Sequence, residues 1–203
     1  YNPLPVKRVE ISKEDGSKRN LGIPTVTDRL IQQAVAQVLT PIYEKVFHRN
    51  SYGFRPGKSA QQAVLKAVEY MNGGYNWVVD IDLEKFFDTV NHNKLISILN
   101  KEIKDGKVLS LIRKFLVSGV MVGEHVEETE IGTPQGGNLS PLLANIILNE
   151  LDWELEKRKL KFVRYADDCI ILVRSQKAAQ RVMDSISKYI ESKLLLKVNR
   201  KKS

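Results

Sequence analysis

The sequence predicts an α+β fold in which helices pack on one face of an antiparallel sheet. Apolar residues recur at helical spacing in several long segments, and short runs of β-branched and aromatic residues occur in pairs separated by turn residues. At 203 residues with 42% hydrophobic content, the chain can bury one substantial core or form two lobes.

The first predicted element is a basic β-hairpin at residues 4–24. Its turn falls at Asp15 and Gly16, residue types that tolerate tight turns. Lys13 precedes this turn and Arg19 follows it, so positive charge collects at the tip. An ordinary solvated hairpin is the alternative interpretation of these charges.

Helices and a basic loop follow the hairpin. Apolar positions at helical spacing predict a helix over 28–47 behind a Thr27 cap, and Pro41 is a candidate break within it. The basic loop SYGFRPGKSA at 51–60 leads into a helix at 59–72.

The second half of the chain alternates strands and helices. WVVDID at 77–82 reads as a short strand, and FVRYADDCIIL at 162–172 reads as two strands around a tip at Ala166, Asp167 and Asp168. The remaining predictions are a helix from about 91, helices at 107–118, 140–158 and 176–193, a hairpin at 120–131 and a last strand at 195–199.

Charge and composition narrow the class of protein. The formal net charge of +8 and a pI near 9.5 favour a polyanionic partner such as nucleic acid. The single Cys169 excludes an intramolecular disulfide and fits a reducing compartment. Without a signal peptide or an apolar run of membrane-spanning length, we expect a cytoplasmic protein, and the ends of the sequence suggest a piece of a longer one.

Two pairs of carboxylates are candidates for a metal site. Asp167 and Asp168 lie side by side at a predicted hairpin tip, where the alternative is a solvated turn. Asp80 and Asp82 share one side of a strand and lie at its end, where the alternatives are a helix cap or a pair with Lys85. Hard carboxylate oxygens grouped in this way are the ligands that Mg²⁺ prefers.

The third feature is a glycine-rich loop before a helix, IGTPQGGNLSPLLANIIL at 131–148. Gly132, Gly136 and Gly137 surround Pro134 and Gln135, so the backbone can approach a flat ligand closely. Any transition from loop to helix can use glycine, which leaves a purely structural role open.

Together these segments resemble a known family. YADD at 165–168, GTPQGGNLSPLLAN at 132–145 and DIDLEKFFDTVNH at 80–92 resemble the palm motifs of reverse transcriptases. GIPTVTDRLIQQAV at 22–35 and SYGFRPGKSAQQAV at 51–64 resemble the group II intron-encoded reverse transcriptase, or maturase, family.

The resemblance implies a right-hand polymerase fold with an antiparallel palm sheet backed by helices. Residues 1–75 are expected to form mainly fingers and residues 76–203 mainly palm, with part of 107–131 a candidate to return to the fingers. The family's thumb is absent from this sequence, so we expect weak or no DNA synthesis by this chain alone. Apolar surface left exposed would favour a homodimer.

The resemblance also assigns the catalytic residues. Asp82 is similar to the family's first metal-binding Asp, and Asp167 and Asp168 to the second and third. Asp82 is preferred over Asp80 because the aromatic residue that excludes a ribose 2′-hydroxyl lies five positions on, at Phe87. Phe86 is the nearest rival for that role, and core packing is the alternative for both. Two Mg²⁺ ions are implied, with Mn²⁺ as a substitute.

Other roles concern the nucleotide and the RNA. Lys13 and Arg19 match residues that hold the incoming triphosphate, and Gln135 and Gly136 match the loop that lines its sugar and base. Lys202 is a candidate acid for the leaving pyrophosphate. The candidates for template contact are Arg49, Arg55 and Lys58, and a second basic run at 157–164, including Arg164, is either an intron RNA contact or a solvated helix end.

The function implied is that of an RNA-directed DNA polymerase of a group II intron, a retroelement, with a maturase role in RNA splicing. Its partners would be a template RNA with primer, dNTPs and the intron RNA, and no membrane. The alternatives are an RNA-binding maturase fragment without significant polymerase activity, and a CRISPR-associated or other bacterial reverse transcriptase.

Overall fold

A computed structural model describes residues 1–12, 16, 18–133, 136–200 and 203, and of Arg19 only the backbone. The strands are β1 (Val6–Ser12), β2 (Lys18–Ile23), β3 (Trp77–Ile81), β4 (Val120–Val122), β5 (His125–Glu127), β6 (Lys161–Tyr165) and β7 (Asp168–Val173). The helices are α1 (Val26–Tyr43), α2 (Ala60–Asn72), α3 (Phe86–Thr89), α4 (His92–Glu102), α5 (Gly106–Leu116), α6 (Ser140–Lys157) and α7 (Gln176–Tyr189), and a π-helical turn (Ile190–Leu194) ends α7. The α+β class is confirmed. Within the ranges described, no helix is long and apolar enough to cross a membrane.

The chain forms two compact units, each made of two separate stretches. The first unit comprises Tyr1–Tyr43 and Phe87–Leu143, and the second comprises Glu44–Phe86 and Ala144–Ser203. These boundaries differ from the predicted division near residue 75. Which parts act as fingers and which as palm stays a prediction.

The first unit contains a four-stranded sheet in the order β2-β1-β4-β5. β1 pairs antiparallel with β2 and β4 with β5, so both predicted hairpins exist. Val6 of β1 pairs in parallel with Val120 of β4, and this pairing joins the two hairpins into one sheet. Periodicity along the sequence gives no information about such a long-range pairing, which explains why it was not predicted.

The first helix differs from its prediction at both ends. The Asp28 backbone N–H donates to Thr25 Oγ1 at 3.2 Å, so Thr25 caps the helix in place of Thr27. Pro41 lies inside the last turn, and the helix ends at Tyr43 and not at residue 47. Proline removes a backbone donor, and the helix stops two residues after it.

The second unit contains a three-stranded antiparallel sheet in the order β3-β7-β6. Val163 of β6 packs in a cluster with Ala63 of α2. The next residue, Arg164, points to the opposite face, where it bonds to Asp152 of α6. Helices therefore cover both faces of this sheet, whereas the sequence predicted helices on one.

Two predicted features near the second sheet need correction. The last strand predicted at 195–199 is wrong, because Leu195 has a left-handed φ of 58° and Val198 pairs with Leu83 through an isolated bridge. The short helix α3 was not predicted, since four residues carry too little periodicity to be detected.

Candidate active site

The hairpin that carries Asp167 and Asp168 forms as predicted. β6 ends at Tyr165 and β7 begins at Asp168, so Ala166 and Asp167 form the connection. Ala166 adopts a left-handed φ of 57°. Asp167 is half-buried and Asp168 is exposed. The tip therefore presents two adjacent carboxylates to solvent from a tight turn.

Asp80 and Asp82 lie beside this tip because β3 pairs with β7. The last pair in the register is Ile81 with Cys169, both of which are buried. Side chains alternate along a strand, so Asp80 and Asp82 lie on the face opposite Ile81, and Asp168 lies on the face opposite Cys169. The sheet thereby brings all these carboxylates to one end, on one face.

The electrostatics of Asp168 show how closely these charges interact. Its pKa is raised, first because the surrounding protein removes part of its water and then by the negative charges of Asp167, Asp80 and Asp82. Each of these carboxylates disfavours ionisation of Asp168. A site with this accumulated negative charge favours the binding of a cation.

The donor chemistry fits a hard divalent cation such as Mg²⁺. In the part of the chain that the structure describes, no group of three or more His, Cys, Asp or Glu side chains is arranged to hold a metal ion. One ion shared by three carboxylates therefore requires their side chains to turn towards each other. Asp82 is already oriented by Asn199, whose Nδ2 donates to Asp82 Oδ2 at 3.0 Å and whose backbone N–H donates to the Asp82 carbonyl at 2.8 Å.

The hairpin tip is held from inside by Arg164, which is fully buried. Its guanidinium donates to both Asp152 oxygens at 2.8 and 2.6 Å, in a two-bond pair of the strong, charge-assisted kind. The remaining nitrogen, Nη1, donates to Asn145 Oδ1 at 2.9 Å and to the Ala166 carbonyl at 2.7 Å. A buried ion pair thus fixes the backbone that precedes Asp167.

A glycine allows the loop at 50–53 to lie against the same tip. A Cβ on Gly53 would overlap the backbone nitrogen of Ala166, so no larger residue fits there without movement. Asn145 Nδ2 donates to the Gly53 carbonyl at 2.8 Å, which connects this loop to the Arg164 network. The sequence interpretation placed Arg164 among candidate RNA contacts and gave Asn145 and Gly53 no role.

The three candidate template residues have different surroundings. The Arg55 guanidinium is buried and donates to Glu44 and to the carbonyls of His48 and Ser51, so its donors are occupied within the second unit. The Arg49 side chain is 79% exposed. Lys58 is half-buried, with its Nζ 5.1 Å from the centre of the Tyr52 ring.

A cavity of about 230 Å³ in the first unit is lined by Phe87. Asn20 and Gly22 of the first hairpin and Gly132 and Thr133 of the glycine-rich loop also line it. Phe87 is half-buried, whereas Phe86 is 3% exposed and belongs to the core. Of the two neighbouring rings, Phe87 lines this cavity and Phe86 does not.

The glycine-rich loop is fixed to the backbone near Phe87. The Thr133 N–H donates to the Phe87 carbonyl at 2.6 Å. Gly132 has a left-handed φ of 93°, and a Cβ there would lie 2.9 Å from the Asp88 carbonyl oxygen, so glycine is required. His92 Nε2 lies 2.6 Å from the Gly132 carbonyl oxygen, so this nitrogen carries the proton and donates a hydrogen bond to the loop. Burial lowers the pKa of the His92 imidazole.

The same loop also contacts α1 and β2. Gln32, which is buried, accepts a hydrogen bond from the Leu139 N–H at 3.4 Å. Gly136 has a φ of 114°, and a Cβ on it would lie 3.0 Å from the Gly22 carbonyl oxygen. Neither Gln32 nor His92 was predicted to have a role, because a polar residue on a helix gives no sign in the sequence of the loop that it holds.

Several residues predicted to bind the nucleotide or to protonate its leaving group fall outside the described part of the chain. These are Lys13, Gln135 and Lys202, together with the side chain of Arg19. Their roles stay predictions.

Comparison with known proteins identifies relatives along nearly the whole chain. Residues 11–203 match the family described as reverse transcriptase (RNA-dependent DNA polymerase). The group II intron-encoded protein LtrA of Lactococcus lactis subsp. cremoris is 47% identical over 171 residues, which cover 84% of this chain and 28% of that protein. The chain therefore spans less than a third of this relative's length.

Solved structures show a similar architecture. A chain of a partial Cas6-RT-Cas1–Cas2 complex is 32% identical, with a TM-score of 0.53 over 95% of this chain and 34% of that one. A telomerase from Candida tropicalis, solved with a fragment of telomeric RNA, aligns over all of this chain and 41% of its own with a TM-score of 0.77. At 15% identity the telomerase match shows a shared fold alone.

Proposed function

The chain belongs to the reverse transcriptase (RNA-dependent DNA polymerase) family, and we propose that it extends a primer with deoxynucleotides on an RNA template. The observation that carries this proposal is the cluster of carboxylates at one end of the β3-β7-β6 sheet. Reverse transcriptases use divalent metal ions. The specific role proposed is that of a group II intron's RNA-directed DNA polymerase, as LtrA's name and 47% identity suggest.

The proposed reaction joins the primer 3′-oxygen to the α-phosphorus of a dNTP while the bond from that phosphorus to pyrophosphate breaks. Two Mg²⁺ ions, for which Mn²⁺ is expected to substitute, would activate the hydroxyl and neutralise charge on the phosphates. Asp82, Asp167 and Asp168 are the proposed ligands, and Arg164 keeps the turn before Asp167 in place. Lys202 is the proposed donor of a proton to the leaving pyrophosphate.

We assign the sugar of the incoming nucleotide to the cavity beside Phe87. Two observations support the assignment. Phe87 lines the cavity with an aromatic ring, and the glycine-rich loop packs closely against neighbouring backbone at Gly132 and Gly136. Lys13 and Arg19 are proposed to hold the triphosphate, with Gln135 at the sugar and base.

Phe87→Ala is expected to lower the discrimination against ribonucleotides. With the ring removed, a 2′-hydroxyl fits, and the ratio of kcat/KM for a dNTP to that for the matching rNTP should fall about tenfold or more. Phe87→Tyr should keep the discrimination. Phe86→Leu should reduce the Tm and leave the discrimination between dNTP and rNTP unchanged. Sugar discrimination that is unchanged in Phe87→Ala would rule out this residue as the gate.

Arg49 and Lys58 are the proposed contacts to template phosphates, since both carry positive charge on the surface of the second unit. Arg55 is assigned to holding its loop, because its donors are occupied by protein acceptors. Binding of an intron RNA, with a maturase role in splicing, is proposed from the similarity to LtrA, a group II intron-encoded protein. The 32% identity to the Cas6-RT-Cas1–Cas2 chain favours a CRISPR-associated polymerase as the second candidate.

We also propose that the chain acts in the cytoplasm, where dNTPs and RNA are present, and that it self-associates. The exposed apolar side chains Val26, Leu30 and Val38 on α1 support self-association, because contiguous apolar surface favours a partner.

Primer extension tests the proposal directly. An RNA template with a DNA primer and Mg²⁺ is offered to the wild-type chain and to an Asp167→Ala, Asp168→Ala double variant. Addition of dNTPs that vanishes in the double variant, with circular dichroism unchanged, is the expected result. Equal addition by both chains would refute the assignment of Asp167 and Asp168 as metal ligands. If neither chain adds nucleotides while the full-length protein does, the proposed function holds for the longer protein only.

A further inference from the structure

Phe54 has a combination of properties that packing does not explain. Its φ is 57°, in the left-handed region that bulky residues rarely adopt because the Cβ then approaches the backbone. The residue is 54% exposed, so burial of the ring does not compensate for this conformation. Strained backbone at an exposed aromatic residue is a feature that functional sites retain.

The residues on both sides of Phe54 are anchored. The Gly53 carbonyl accepts a hydrogen bond from Asn145 at 2.8 Å, and Gly53 lies directly against the backbone of Ala166 at the hairpin tip. On the other side, Arg55 donates to Glu44 at 2.8 Å and to the His48 carbonyl at 2.7 Å. The ring is therefore held outward by fixed neighbours, one residue from the contact with the catalytic hairpin.

The charge around Phe54 favours nucleic acid as its partner. Arg49 exposes 79% of its side chain, and Lys58 lies beside it, with Nζ 3.5 Å from the Arg49 carbonyl oxygen. Proteins that bind single strands combine cations that follow the phosphates with aromatic rings on which bases stack. Arg49 has an acidic neighbour, Glu156, whose Oε1 lies 3.8 Å from Arg49 Nη2, but both of these side chains stay largely exposed. An apolar protein segment would bring no negative charge to Arg49 and Lys58, whereas nucleic acid would.

We propose that the Phe54 ring stacks on a base of the single-stranded template RNA while Arg49 and Lys58 contact its phosphates. This inference rests on the proposed function and adds to it a base-contacting residue. The anchored loop supplies the ring already oriented, so little conformational entropy is lost on binding. Stacking tolerates every base, which suits a template of any sequence.

The test uses a template RNA with 2-aminopurine at each of the first unpaired positions in turn, annealed to a DNA primer. Fluorescence of this base falls when it stacks on a ring. Wild type and Phe54→Trp are expected to quench it, whereas Phe54→Leu, which keeps the apolar volume without a ring, should not quench it and should bind about tenfold more weakly.

A second variant separates binding from folding. Glycine adopts the left-handed region without strain, so Phe54→Gly should have a Tm equal to or above that of the wild type while losing the quenching. A Tm several degrees lower would show that the ring packs in the folded chain, which would overturn the inference. Equal affinity and quenching in Phe54→Leu and wild type would overturn it as well.

Failure of the proposed function gives a different result. If the wild-type chain does not bind the template and primer, the proposed function fails for this chain and the stacking role fails with it. If the wild type binds and extends the primer but quenches no position, the proposed function holds and the Phe54 inference alone is wrong.

Discussion

Asp168→Asn is expected to reduce single-nucleotide addition by about a thousandfold or more, a loss of roughly 4 kcal/mol of transition-state stabilisation. An amide is a weaker ligand for a hard cation than a carboxylate. The same change should leave the chain at least as stable as the wild type. The ionised Asp168 is disfavoured in the folded state by partial loss of water and by Asp167, Asp80 and Asp82.

The sign of the stability effect follows from the raised pKa. A group whose pKa is higher in the folded than in the unfolded state binds its proton more tightly when folded. Its ionised form therefore lowers stability at neutral pH, and this loss is relieved as the pH falls through the folded-state pKa. The Tm advantage of Asp168→Asn over the wild type should be largest at neutral pH and shrink in acid.

Calorimetry across pH and single-turnover nucleotide addition measure both effects. Asp184→Asn is the matched control, since Asp184 is an exposed carboxylate on α7 in the same unit and should affect neither quantity strongly. An Asp168→Asn chain with a lower Tm than wild type at neutral pH would contradict the electrostatic description. Retention of most of the activity would contradict its role as a ligand.

Of the variants proposed for this chain, Arg164→Met is expected to lose the most stability. It leaves the Asp152 carboxylate without its partner in a site where both side chains are fully buried. Removing one member of a buried ion pair costs about 3–5 kcal/mol, which corresponds to a fall in Tm on the order of 10 °C for a chain of this size. The Ala166 carbonyl and Asn145 Oδ1 also lose their donor.

Two further variants locate the cause of that loss. The Arg164→Met, Asp152→Leu double variant removes the unpaired charge and should recover part of the stability. Arg158→Met is the matched control, because Arg158, directly after α6, pairs with Glu154 where both side chains are partly exposed, and such pairs contribute about 1 kcal/mol or less. An Arg164→Met chain that melts within a degree or two of the wild type would refute the network.

Local signals in the sequence predicted most elements of the fold. α2 follows its prediction closely because Ser59 and Gln62 form a capping box that is visible in the sequence. Two features were missed. The π-helical turn after α7 depends on packing, and the parallel pairing of Val6 with Val120 depends on contacts between residues far apart in the sequence. The strand predicted at 195–199 had suitable residue types, but Leu195 breaks it with a left-handed backbone.

The site was predictable where its chemistry is explicit in the motifs. The adjacent acids at 167 and 168, and Asp80 and Asp82 as further carboxylate candidates, were expected from residue type and spacing. The β3–β7 pairing that brings the two pairs to one end of the sheet comes from the structure. The supporting residues were not, because Arg164 and Arg55 look like surface cations in the sequence, and only the fold shows that both are buried. An arginine between apolar residues of a buried strand is the signal that could have identified Arg164.

The most direct test of the central claim compares Asp82→Asn with Asp80→Asn in addition of one dNMP to a primer on an RNA template. The claim is that Asp82, oriented by Asn199, joins the hairpin carboxylates in one polymerase site, whereas Asp80 contributes negative charge only. Asp82→Asn is predicted to lose addition by about a thousandfold and Asp80→Asn to retain most of it. Loss in Asp80→Asn with activity kept in Asp82→Asn would contradict this assignment.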